Sequence, residues 1–84
     1  MKYKVILTNK AEKQLRKIDS SIQKRLVKKM EQLVPNPRMI GVKKLKGEDN
    51  FYRVREGNYR IIYAIQDTEL LIVVINVGHR RDIY

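Results

Sequence analysis

Arg53, Arg55 and Arg60 stand within eight residues of one another, in the stretch F-Y-R-V-R-E-G-N-Y-R-I-I-Y that runs from Phe51 to Tyr63. Guanidinium groups grip phosphate in a bidentate way and stay charged at any working pH. Arginines gathered in one place can hold a scissile phosphate and offset the extra negative charge of a pentavalent transition state. The chain closes on V-G-H-R-R-D-I-Y, which adds His79, Arg80 and Tyr84. His79 is the one histidine and can shuttle a proton near neutral pH. Tyr84 can stack on an unstacked base or position a sugar. The chemistry these types suggest is phosphoryl transfer on a nucleic-acid strand.

Strands must carry this set. Gly57-Asn58 is a two-residue hairpin signal and Asp67-Thr68 a weaker turn. The runs around them are rich in Ile, Val, Leu and Tyr, which suit a pleated surface. The pattern predicts a three-stranded antiparallel meander over residues 51–56, 59–66 and 69–77. A two-residue loop sets Arg55 against Arg60, Val54 against Ile61 and Tyr52 against Tyr63. Alternation then gathers Arg53, Arg55 and Arg60 on one face. Tyr52, Val54, Tyr59, Ile61, Tyr63 and Ile65 fall on the other, as core. The arginine face continues through Leu71, Val73, Ile75 and Val77. By the same parity it reaches His79, unless Gly78 breaks the alternation. Like charges across a strand pair are destabilising, so Arg55 against Arg60 calls for an anion. The plainer reading makes these ordinary exposed strand residues, one of them paired with Glu56 or Glu48. By the same plain reading His79 is a surface residue and Tyr84 a frayed end.

These residues resemble a known family. Y-R-V-R-E-G-N-Y-R-I-I-Y, an apolar strand and then V-G-H-R-R-D-I-Y look like the RelE branch of the RelE/ParE toxins. The likeness covers nearly the whole chain, because the basic helical front half also fits. It implies the toxin of a type II toxin–antitoxin pair. Such a toxin is a cytoplasmic, ribosome-dependent endoribonuclease that cuts messenger RNA in the A site without a metal or cofactor. Its partners are the ribosome, mRNA and a cognate antitoxin. The resemblance assigns Arg53, Arg55, Arg60, Arg80 and Tyr84 to the catalytic site, and the motif adds His79. Cleavage of this type runs through attack of a 2′-hydroxyl on the adjacent phosphate. In the family a lysine at the position matching Arg55 has the role of base. Arginine is not deprotonated in proteins, so here the arginines act electrostatically. His79 is then the acid, and Glu48, Glu56 or a ribosomal group the base. ParE-like binding and inhibition of DNA gyrase is the alternative. The cluster Arg53, Arg55, Arg80 and Tyr84 favours the nuclease.

Bulk properties agree. Eighty-four residues make one domain spanning 1–84, with a small core. There is no cysteine, so neither disulfide nor thiolate chemistry is available. One histidine and nine acids give no expectation of a metal site. No run approaches the roughly 20 apolar residues that span a bilayer, and no signal peptide is evident. The net charge is +10, and it is uneven. Residues 1–46 hold fourteen basic and three acidic side chains; residues 47–84 hold five and six. Such a front half is drawn to nucleic acid. Lys13, Lys17, Lys24, Lys28, Lys43, Lys44 and Lys46 are the candidates for docking to RNA and the ribosome, with a solvated helix face as the plain alternative for the helical ones.

Taken in order, Lys2 to Leu7 alternates as a short strand with Tyr3, Val5 and Leu7 inward. Asn9 and Glu12 form a capping box for a helix to about Ile18, with Ala11, Leu15 and Ile18 as its stripe. Ser20 and Gln23 offer a second box. The second helix buries Ile22, Leu26, Met30 and Leu33, and Pro35-Asn36-Pro37 stops it. The short connection predicts an antiparallel helix hairpin laid on the sheet. Residues 38–50 form a connector with a short extended piece near 42–46. The class is α+β, in the order β-α-α-β-β-β.

Overall fold

The computed structural model describes residues 2–39, 41–45, 47 and 50–79. In chain order the elements are β1 (Lys4–Leu7), α1 (Asn9–Arg16), α2 (Ser20–Leu33), β2 (Lys43–Lys44), β3 (Phe51–Glu56), β4 (Tyr59–Gln66) and β5 (Leu71–His79). They build one five-stranded sheet of order β1-β5-β4-β3-β2. The fold is α+β, as the pattern predicts. β3 and β4 have the expected ends and register, with Arg55 opposite Arg60 and Tyr52 opposite Tyr63. Gly57 takes a φ of 61° and Asn58 keeps a negative one, the φ signs of a type II′ turn. A Cβ on Gly57 would lie 3.0 Å from the Arg25 guanidinium.

β1 pairs with β5 in parallel, Lys4 with Leu71 through Leu7 with Val74. The sheet is therefore mixed: the two helices carry the chain from β1 to β2 at the opposite edge, and the meander returns it to β5 beside β1. Both helices lie on one face. Ala11 from α1 and Leu26, Met30 and Leu33 from α2 are buried against Tyr52, Val54, Ile61, Tyr63, Ile65, Ile72, Val74 and Val77. The helical stripes bury as their spacing predicts. The caps fall one residue earlier than the capping boxes suggest. Thr8 accepts from the Ala11 amide, and Asp19 from the Ser21 amide. Gln23 instead donates to the carbonyls of Arg16 and Ile18, closing the short link between the helices.

The third meander strand departs from expectation. It starts at Leu71, because the turn holds four residues and Leu70 sits at a φ of 54°. It also runs on to His79, and it carries a bulge. Ile62 pairs with Asn76 but Tyr63 pairs with Val74, leaving Ile75 as the extra residue. A bulge inverts the alternation beyond it. Val77, expected on the arginine face, is instead buried against Ile61 in the core.

An unforeseen clamp closes the far end of the sheet. Both guanidinium nitrogens of Arg38 reach the Asp67 carboxylate, at 3.0 and 2.8 Å. Arg38 Nε donates to the Tyr52 hydroxyl, and the Tyr3 hydroxyl donates to Asp67. The bonds from Arg38 and then Tyr3 hold the Asp67 carboxyl at about 2. A carboxyl lowered on folding adds stability above its ordinary range and loses it as pH falls through the folded value. Asp67→Asn is therefore expected to melt below the parent at pH 7. The two melting curves should converge as pH falls from about 4 to about 2. A gap that stays constant across that window would show the clamp to be uncharged in effect.

Candidate active site

The face of the sheet turned away from the helices carries the cations. Arg55 and Arg60 are direct cross-strand partners, and Arg53 lies two residues further along β3. Directly opposite residues in an antiparallel pair share a face, with Cβ atoms about 5 Å apart. Arg55 is exposed, while Arg53 and Arg60 are half-buried. In β5 the partner of Arg60 is Gly78, which carries no side chain. Ile62, in register with Arg53, adds an apolar floor.

The short strand β2 brings a cation that pattern reading had placed among general docking residues. Lys43 pairs with Arg53 and Lys44 with Tyr52. Lys43 therefore joins the arginine face, and Lys44 lies on the opposite side. The signal was present only as a short extended piece near 42–46. Its register against Arg53 is a long-range fact.

The acids are elsewhere. Glu56 stands opposite Tyr59 and faces the helices. It holds Arg25 at 3.0 Å and Lys29 at 3.7 Å. The plain expectation of Glu56 pairing with a strand arginine does not hold, and Glu56 is turned away from where a base would act. Glu12, Asp19 and Glu31 belong to the helices and the link between them. Asp67 and Glu69 sit in the β4–β5 turn, at the other end of the strands. Among the described residues, no acid shares the arginine face near Arg55 and Arg60. No group of three or more His, Cys, Asp or Glu that could hold a metal ion occurs among them either.

His79 is not where simple parity puts it. Beyond the bulge it pairs with Tyr59, and the two rings meet edge-on with centroids 5.4 Å apart. Its imidazole thus lies on the helix side of the sheet, in a cleft of about 340 Å3 whose walls include Gln14, Lys17, Ile18 and Gly78. Gln14 pins this end of β5. Its Oε1 accepts from the Val77 amide at 2.8 Å, and its Nε2 donates to Asn76 Oδ1 at 2.7 Å. α1 thereby takes over the edge of β5 where β1 ends. Arg80, Tyr84, Lys46 and Glu48 lie outside the described residues. Lys13, Lys17, Lys24 and Lys28 are exposed along the helices.

Two helices over one face of a mixed sheet, with cations gathered on the other, define a RelE/ParE-type toxin fold. The family model described as the ParE toxin of type II toxin–antitoxin systems matches residues 5–84, and the chain belongs to that family. Its relatives carry the RelE name. It is 33% identical over 83 residues to the mRNA interferase toxin RelE of Escherichia coli, covering 96% of this chain and 86% of that protein. Among solved structures, the isolated Escherichia coli RelE toxin superposes with a TM-score of 0.83 at 29% identity, covering 92% of this chain and 83% of that one. A toxin in the RelBE2 toxin–antitoxin complex of Mycobacterium tuberculosis superposes at 0.84 with 29% identity, covering 95% of this chain and all of that one. The likeness inferred from the closing third of the sequence thus extends over the whole fold.

Proposed function

We propose that this toxin is a ribosome-dependent endoribonuclease that cuts messenger RNA in the A site, and that a cognate antitoxin neutralises it. The observation that carries the reading is Arg55 set directly against Arg60, with Arg53 alongside, on the sheet face turned away from the helices. Guanidinium groups gathered in this way grip a phosphate through paired, charge-assisted hydrogen bonds. The arginines hold the scissile phosphate and stabilise the charge that builds on it. The reading keeps Arg80 and Tyr84 in the site, on the strength of the motif. The exposed lysines of α1 and α2, with Lys44 and Lys46, supply the docking charge. Each phosphate they meet steepens the salt dependence of binding by about 0.7 on single strands. The solved complexes of related toxins with antitoxins support a protein partner here, and the +10 charge suits an acidic one.

The test is primer extension on RNA from a translating extract with purified toxin added, beside the same RNA without ribosomes. Cuts in step with codons, confined to translated messages, are expected. Unimpaired protein synthesis without cuts would overturn the reading. Inhibited DNA supercoiling by gyrase would then support the ParE-like alternative. The same assay weighs His79. A lost proton donor costs about 10²–10⁴-fold. Because the imidazole lies across the sheet from the guanidinium groups, His79→Gln is expected to cost less than about tenfold. A loss within the full range for a proton donor would put it at the leaving oxygen.

A further inference from the structure

We propose that Lys43 is the general base of this site, the amine that takes the proton from the attacking 2′-hydroxyl. The inference rests on the reading of the arginine face as the place where RNA is cut. Attack by a 2′-hydroxyl requires a proton acceptor, and arginine cannot serve. Glu56 faces the helices, bound to Arg25 and Lys29. His79 packs on Tyr59 on the helix side. Lys4 also points to the open face, but β5 and β4 separate its strand from β3. Three strand spacings of about 4.8 Å put it roughly 14 Å away. Lys43 alone among the described lysines is in register with the cluster, directly opposite Arg53. Among the described residues, its charged neighbours on that face are Arg53 across the pair and Arg55 on the diagonal. Tyr52 and Lys44 lie behind the pair on the other side.

In the step proposed, the Lys43 Nζ free amine takes the 2′-hydroxyl proton as the 2′-oxygen bonds phosphorus. The bond from phosphorus to the 5′-oxygen breaks, its electron pair stays on that oxygen, and water protonates it. The lysine ammonium then neutralises the hydroxide left behind. The products are a 2′,3′-cyclic phosphate and a 5′-hydroxyl end.

Lys43→Arg separates a base from a mere cation, because it keeps the charge and removes the proton acceptor. In the translating extract it is expected to lose about 10²–10⁴-fold in cleavage rate, as much as Lys43→Ala. Cosedimentation with ribosomes should be unchanged. Lys43→Cys introduces the only thiol in a chain without cysteine. That variant should be equally slow. Alkylating its thiol with 2-bromoethylamine builds a lysine-like amine that the neighbouring sulfur makes more acidic. Activity should return, with the pH–rate profile displaced to lower pH. Lys43 is exposed on a two-residue strand, and a matching melting curve for each variant shows that folding is intact. A Lys43→Arg variant that cuts at the parental rate overturns the proposal and makes Lys43 a phosphate-holding cation. Arg60→Ala in the same assay keeps the two ideas apart. If it stays fully active, the arginine face is not the site and both readings fall. If it is inactive while Lys43→Arg works, only the base assignment falls. A parent protein that cuts no RNA removes both.

Discussion

Arg60→Ala is expected to slow messenger RNA cleavage by about 10²–10³-fold and to leave ribosome binding intact. This is the range seen when a single preorganised donor to a developing charge is removed. Arg60 is held in the middle of the sheet. It is half-buried on a central strand, between Arg55 on β3 and Gly78 on β5. Its strand is paired on both sides before RNA arrives, and a preplaced charge is one that can act on a transition state rather than only on docking. The exposed lysines of the helices have no such placement. Substituting one of them should weaken ribosome binding and lower its salt slope, with single-turnover cleavage of bound message unchanged. Arg60→Ala should show the reverse: unchanged cosedimentation and a slow single-turnover rate. Arg60→Lys keeps a charge but not the bidentate fork, and should recover only part of the rate. Full activity in Arg60→Ala would remove this face from the chemistry.

The largest effect on stability is expected at Leu26. It is fully buried on α2 and belongs to the same core as Tyr52, Val54 and Ile61. Leu→Ala in such a site costs about 2–5 kcal/mol, because a cavity is left as well as burial lost. Domains of this size hold roughly 5–15 kcal/mol in total. Each kcal/mol is worth about 4–8 °C in Tm here, so a fall of at least about 8 °C is expected by thermal unfolding. The next residue along the helix, Val27, is 41% exposed. Val27→Ala should change stability by no more than about 0.5 kcal/mol. A bound antitoxin would mask the Leu26→Ala loss by mass action, so the comparison belongs to the free toxin. Equal melting temperatures for the two variants would mean that α2 contributes little to the core.

Much of this architecture follows from local pattern. Alternation with period 2 and the Gly57-Asn58 turn determine β3, β4, their register and the shared face of Arg53, Arg55 and Arg60. Spacings of three and four determine which helix residues are buried. These are short-range properties, set by chain geometry within a few residues. The turn and cap details were less legible, because Thr8 and Asp19 compete with Asn9 and Ser20 for nearly the same local bonds.

What tertiary structure alone decided is how distant segments meet. The bulge at Ile75 depends on fitting β5 between β1 and β4, and it moves Val77 into the core and His79 onto the helix side. Alternation puts Glu56 on the face opposite the strand arginines, but that Arg25 and Lys29, more than twenty residues earlier in the chain, meet it there is a tertiary fact. Arg38 and Asp67 carry no sign in the sequence that they will lock together. Nor does Lys43 reveal that its two-residue strand stands opposite Arg53. Charge and composition fix that this protein seeks an anion. Which lysine stands beside the strand arginines is decided by strand pairing, which no local pattern encodes.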